Sequence, residues 1–125
     1  MMVLVDTSVW IDHLRYGNQN LIERLNRAAV ICHPYVIGEL ACGNLKNRKE
    51  ILDLLQALPL APLAEPEEIL HFIDAGRFYG RGLGWIDVNL LASSRLMGCH
   101  LWTLDTALAS AAIDLDLNFE LTHHD

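Results

Sequence analysis

At 125 residues, 52% of them hydrophobic, the chain is long enough to bury one core of ordinary size and needs no second domain. Sixteen acids against nine Lys plus Arg give a formal charge of −7, which excludes a broad electrostatic grip on nucleic acid and leaves any such contact to local features. The N-terminal MMVLVD has no basic leader and no apolar run approaches the ~18 residues of a membrane span, so the expectation is an unanchored, cytoplasmic protein.

Val3–Val5 is a short apolar run of the kind a doubly covered parallel strand shows, and Asp6, Thr7 and Ser8 after it supply helix-capping chemistry. Leu21, Ile22, Leu25, Ala28 and Ala29 form an apolar stripe on a helix over about Asn18–Ala29, followed by a second strand at Val30–His33. Pro34 fits the first position of the next helix, which contains Glu39 and which Gly43 can end. Ile51, Leu52, Leu55 and Leu58 mark a helix over Arg48–Leu58 that stops at Pro59, and LAPLAEP is a connector with room for a brief strand.

Pro66, Glu67 and Glu68 then open an acidic first turn, with Ile69, Phe72, Ile73, Gly76 and Tyr79 stepping along one helix face. The glycine-dense YGRGLG, Tyr79–Gly84, reads as a loop running into a helix over Trp85–Met97, with Asp87 in its first turn and Gly98 as its cap. Cys99–Leu104 is a third strand, and Asp105 follows it as Asp6 follows the first. A helix over Thr106–Ile113 and a short strand near Phe119–Thr122 complete the pattern.

Strands alternating with helices define an α/β fold, a three-layer α/β/α sandwich around a mostly parallel sheet. Ligands of such sheets bind beyond the carboxyl ends of the strands, where the strand order reverses. Asp6 and Asp105 both stand at strand ends.

Four acids interrupt apolar settings: Asp6 after VLV, Glu39 within YVIGELA, Asp87 within GWIDVNLL and Asp105 after LWTL. Each of three has an ordinary explanation by itself, Asp6 and Asp105 as helix caps and Asp87 as a first-turn acid, while Glu39 has neither excuse. Brought together, four carboxylates repel one another unless a cation compensates, and an oxygen-only donor set favours Mg(II) or Mn(II) over Zn(II).

VDTSVWID near the start, the Glu of IGEL, GWIDVNLLASSRL and LWTLD together resemble a PIN domain of the VapC toxin type, over essentially the whole chain, so that residues 1–125 form one PIN-like domain. The resemblance implies an endoribonuclease using Mg(II) or Mn(II), dimeric, and held inactive by a cognate VapB-type antitoxin that packs in a groove beside the site. It implies Asp6 and Asp87 as direct metal ligands, Glu39 and Asp105 completing the acidic set, Ser8 in the pocket, and Thr103 orienting the site. TALASAA after Asp105 departs from it by lacking basic and aromatic residues. Any contact with DNA would run through the antitoxin, since no basic helix-turn-helix is present.

Arg77 and Arg81, flanking the glycine-rich loop, are candidates for RNA phosphates, whereas Lys46, Arg48 and Lys49 read as a solvated helix start. Trp10, Trp85 and Trp102 read as core packing near the acids, with base stacking as the other reading. Cys32, Cys42 and Cys99 lack CxxC spacing and read as buried, reduced thiols. The apolar helices Asn18–Ala29 and Arg48–Leu58 are the expected antitoxin groove. The competing class is a PIN-like module that binds RNA or protein without cutting. A haloacid-dehalogenase-like phosphatase would need an acid where Ser8 stands, and a phospho-receiver would need a strand-end Lys that the chain lacks.

Overall fold

The computed structural model describes residues 1–121. The elements run β1 (Val3–Val5), α1 (Thr7–Tyr16), α2 (Gln19–Asn26), β2 (Val30–Ile31), α3 (Pro34–Ala41), α4 (Arg48–Ala57), α5 (Pro66–Gly76), α6 (Trp85–Met97), β3 (His100–Trp102) and α7 (Thr106–Asp114). β1 lies in the middle of a parallel sheet of order β2-β1-β3, with Val3 opposite Val30 and His100, and Val5 opposite Trp102. All three residues of β1 are buried, as a strand flanked on both sides and covered on both faces requires. Helices flank the sheet, which is the three-layer α/β/α arrangement expected from the alternation of patterns.

Single parallel bridges extend each edge, Cys32 with Leu60 and Leu101 with Asn118. The first is the brief strand for which LAPLAEP has room. The second, at Asn118, stands just before the short strand expected near Phe119–Thr122. There the chain makes one bridge, and Phe119 donates its N–H to Leu101 O at 3.1 Å while its ring packs on Trp102 at 4.9 Å. The aromatic contact, with the Arg24 guanidinium 5.0 Å from the same ring, replaces a longer ladder. Thr122, His123 and His124 lie outside the described residues.

The boundaries of α2, β2 and α5 differ from expectation for local reasons. α2 begins when the Asn18 side chain accepts from Leu21 N–H at 3.0 Å, and it ends before Ala28, which has a φ of 54°. β2 stops early because His33 leaves the strand to cap α3, its Nδ1 accepting from Tyr35 N–H at 3.0 Å. α5 ends at Gly76 rather than near Tyr79, because Arg77 turns left-handed and the Phe78 ring folds back over Gly76. A Cβ at Gly76 would overlap that ring, so only glycine admits the turn.

The core joins β1, β2 and β3 to Val9, Trp10, Leu21, Val36, Leu40, Ile69, Leu90, Leu91 and Leu108. Two of the three thiols are buried, and burial pushes Cys32 up to about 11 and Cys99 upward as well, so both are unreactive. Cys42 is exposed, against expectation, because it caps α3 at the surface. No helix among the described residues is long and apolar enough to cross a membrane.

Candidate active site

The sheet order reverses at β1: the chain passes first to β2 on one side and later to β3 on the other. The crevice beyond the carboxyl ends of β1 and β3 is therefore the place where this topology offers a site. Asp6 follows β1 directly and is 6% exposed. It occupies the N-cap position of α1, yet its carboxylate makes no cap hydrogen bond. Instead Oδ2 accepts from Ser8 Oγ at 2.7 Å and from Thr103 Oγ1 at 2.7 Å, leaving Oδ1 outside this network.

The two hydroxyls also accept. Leu104 N–H donates to Ser8 Oγ at 2.9 Å, and Asp105 N–H donates to Thr103 Oγ1 at 3.0 Å. With each hydroxyl proton on Asp6 and each lone pair facing a backbone N–H, the turn after β3 is fastened to the start of α1. Asp6 N–H completes the seam by donating to Trp102 O at 2.9 Å. Asp105 is thereby brought to the same edge, where its Oδ1 caps α7 by accepting from Ala107 N–H at 3.1 Å.

Asp87 comes from the first turn of α6, its Oδ2 accepting from Gly84 N–H at 2.8 Å. Burial raises its pKa, the Gly84 bond opposes this, and the charges of Asp6 and then Asp105 raise it further. Three of the four acids therefore share one electrostatic environment. Glu39 reaches the site from α3, where Thr7 Oγ1 donates to its Oε1 at 2.6 Å. Thr7 is the immediate neighbour of Asp6, so this bond ties the fourth acid to the same seam. Sequence reasoning misses Thr7, whose only signal is its place beside Asp6.

Among the described residues no three His, Cys, Asp or Glu side chains close on a point that would hold a metal. The donor set nonetheless fits Mg(II) or Mn(II): it is all carboxylate, mutually repulsive, and such ions are commonly held by one or two carboxylates with water completing the shell. Asp6 and Asp87 are the pair that would hold one.

The two arginines differ. Arg77 is exposed at the left-handed end of α5. Arg81 is engaged with α7, 2.8 Å from Asp114 Oδ2 and 3.3 Å from Ser110 Oγ, with its guanidinium 5.8 Å from the Phe78 ring centre. In the other basic cluster Arg48 donates to Ala41 O and to Gly43 O, closing the loop between α3 and α4, and Lys49 pairs with Asp53 at 2.8 Å. The tryptophans also separate. Trp10 and Trp102 are core residues, each 5% exposed, but Trp85 is 44% exposed, against the expectation of core packing for all three. At the first position of α6 its side chain has no layer above it.

A parallel sheet with acids converging past its central strand defines a class of nuclease-like α/β domain, and the PIN domain family model matches residues 3–114. The chain belongs to the PIN domain family, and within it to the VapC type. It is 46% identical over 114 residues to Ribonuclease VapC32 of Mycobacterium tuberculosis, in two strains, with 90% of this chain and 92% of that protein covered. Among solved structures it is similar to FitAB bound to an IR36 DNA fragment, with a TM-score of 0.67, 21% identity, and 99% of this chain and 100% of that chain covered. It is also similar to PAE2754 from Pyrobaculum aerophilum, with a TM-score of 0.61, 15% identity, and 89% and 79% covered. These two structures share the fold.

Proposed function

We propose that this chain is a metal-dependent endoribonuclease, the toxin of a toxin–antitoxin pair, acting at Asp6, Glu39, Asp87 and Asp105. The observation that carries this reading is geometric: the hydroxyl seam holds Asp6 and Asp105 together beyond the carboxyl ends of β1 and β3, and Thr7, next to Asp6, binds Glu39. The like charges of Asp6 and Asp105 beside Asp87 are what a bound cation would relieve. The naming of its relative as a ribonuclease supports RNA as substrate.

A divalent ion, when bound, supplies charge neutralisation at phosphate oxygens and lowers the pKa of water. Asp6 and Asp87 would hold it. Ser8 and Thr103 keep the Asp6 carboxylate in one rotamer, so Oδ1 is presented without a search among conformers. Glu39 and Asp105 orient the attacking water, and one of the two carboxylates accepts its proton as the phosphorus–oxygen bond forms and the leaving oxygen departs. Arg77, and Arg81 on release from Asp114, contact phosphates on either side of the scissile one.

A VapB-type antitoxin is the proposed partner, and the FitAB likeness supports a two-component assembly. Its seat is the apolar hollow of about 230 Å³ between α1, α2 and α4, lined by Trp10, Leu14, Leu25, Leu54 and Leu58. The chain acts as a homodimer of one-domain protomers in this reading, and reaches DNA only through the antitoxin.

Purified protein incubated with total cellular RNA and Mn(II), beside an EDTA control and Asp87→Asn, tests the proposal, with fragment ends sequenced. Cuts that need metal and vanish in the variant are expected. A folded, metal-binding protein that leaves RNA intact would instead be a binding module.

A further inference from the structure

Trp85 is the one tryptophan of the chain that the core does not absorb, and it shares a surface hollow with Glu39. It stands two residues before Asp87. Its side chain forms one wall of a shallow hollow of about 520 Å³ between the starts of α3 and α6, shared with Pro34, Tyr35, Gly38, Glu39 and Ile86. The hollow is apolar except at its rim, where Glu39 belongs to the acidic constellation. Glu39 is the one acid of that set that lines it.

We propose that this hollow is a nucleobase subsite, in which Trp85 stacks on a base of single-stranded RNA adjoining the scissile phosphate. The inference rests on the ribonuclease reading above and adds to its phosphate contacts a grip on a base. At a net charge of −7 the chain has little long-range attraction for a polyanion, and Arg81 is engaged with Asp114. Stacking on an aromatic face needs no charge and tolerates any base.

Gly38 supplies the second observation. It sits in the interior of α3, where glycine costs about 0.5–1 kcal/mol relative to alanine. A Cβ built there would meet nothing within 4 Å, so packing within the chain does not demand a glycine. The floor of the hollow is left bare, which gives a flat base room to approach the helix backbone.

The test uses single-stranded oligoribonucleotides carrying one abasic residue, moved stepwise along the strand. Binding is read by anisotropy in Ca(II), and cleavage in Mn(II) gives kcat and KM. For the wild type one abasic position should weaken binding by roughly 5- to 150-fold, the range of a lost base stack. Trp85→Ala should bind the intact strand that much more weakly and be indifferent to the abasic step, with Trp85→Phe restoring part of the effect. Gly38→Leu fills the hollow without removing the indole and should behave like Trp85→Ala while melting no lower than the wild type.

A flat abasic profile in wild-type protein that cuts RNA through Asp87 overturns the subsite and leaves the nuclease reading standing. A wild type that neither binds nor cuts RNA overturns both. If Trp85→Ala and Gly38→Leu keep the abasic profile and lose only the complex with the antitoxin, the hollow is a protein contact and the proposal is wrong.

Discussion

Thr103 Oγ1 lies 2.7 Å from Asp6 Oδ2 across 97 positions of sequence, so the hydroxyl that closes β3 donates to the carboxylate that closes β1. The same oxygen accepts from Asp105 N–H. Thr103→Val keeps the shape and removes both bonds, one of them to a charged group. We expect a stability loss of about 1–3 kcal/mol by urea denaturation and a fall in cleavage, with Thr103→Ser recovering both. Unchanged stability in the valine variant would show that the seam is not held by this hydroxyl.

Asp87 sets function against stability. Burial and the charges of Asp6 and Asp105 disfavour its ionised form, so its folded pKa lies above the unfolded one. A raised pKa means that the folded chain binds the extra proton. The contribution to stability is present at low pH and is lost as pH rises through the folded value. Asp87→Asn should therefore melt at or above the wild type in EDTA at pH 7, while losing cleavage. Mg(II) should raise the melting temperature of the wild type and leave that of the variant unmoved. A variant that melts lower in EDTA contradicts this assignment.

Thr7 and Glu39 test whether positioning matters apart from packing. Their 2.6 Å bond is solvent-exposed, so Thr7→Val should cost less than about 1 kcal/mol of stability. It leaves Glu39 free to sample other rotamers, and cleavage should fall by about tenfold, mainly in kcat. Full activity in the valine variant would remove Thr7 from the site.

His33 predicts a pH dependence unrelated to catalysis. It is fully buried, and burial pushes its pKa down to about 4. Its Nδ1 accepts from Tyr35 N–H, which places the ring proton on Nε2, 3.2 Å from Ser93 Oγ; that hydroxyl donates onward to Pro62 O at 3.4 Å. The unfolded chain takes up a proton near pH 6.5 that the folded chain refuses until about 4. Stability is full above pH 6.5 and declines toward pH 4, with a slope approaching about 1.4 kcal/mol per unit. His33→Asn retains a capping acceptor and should flatten that slope in urea titrations between about pH 7 and 4.5, a window that brackets most of the shift. Equal slopes would refute the buried neutral ring.

Arg77→Ala with Arg81→Ala separates phosphate contact from packing. The Arg81–Asp114 pair is partly exposed, and its loss should cost less than about 1 kcal/mol. RNA affinity should fall more steeply, and the salt dependence of binding should become shallower by about one unit of slope for each phosphate that an arginine no longer neutralises. Unaltered binding and cleavage would dismiss both arginines.

Much of the scaffold is legible in the chain because its signals are local. The doubly buried run Val3–Val5, Pro34 at the start of α3, and Gly98, with a φ of 65°, at the end of α6 mark their elements through neighbours alone. The boundaries that escape the sequence are those decided at a distance. α5 stops where Phe78 folds over Gly76, and the final strand reduces to one bridge where Phe119 meets Trp102. The exposure of Trp85 escapes it for the same reason: periodicity places the residue on α6, but whether a layer covers it depends on the rest of the fold.

The candidate site divides along that line. Four acids interrupting apolar settings are visible to anyone reading the residues, because a carboxylate among Val, Leu and Ile needs a reason. Sequence alone determined their identity, their order and the strand and helix ends that carry them. Their relation was decided only in three dimensions. A parallel sheet with β1 between β2 and β3 brings residues 6 and 103 into hydrogen-bond contact, and the seam through Ser8 and Thr103 turns Asp6 away from the capping role that its position would otherwise assign it. The physical reason is range: propensity and capping act over a few residues, whereas the repulsion that couples Asp87 to Asp6 and Asp105 exists only after the fold has closed the distance.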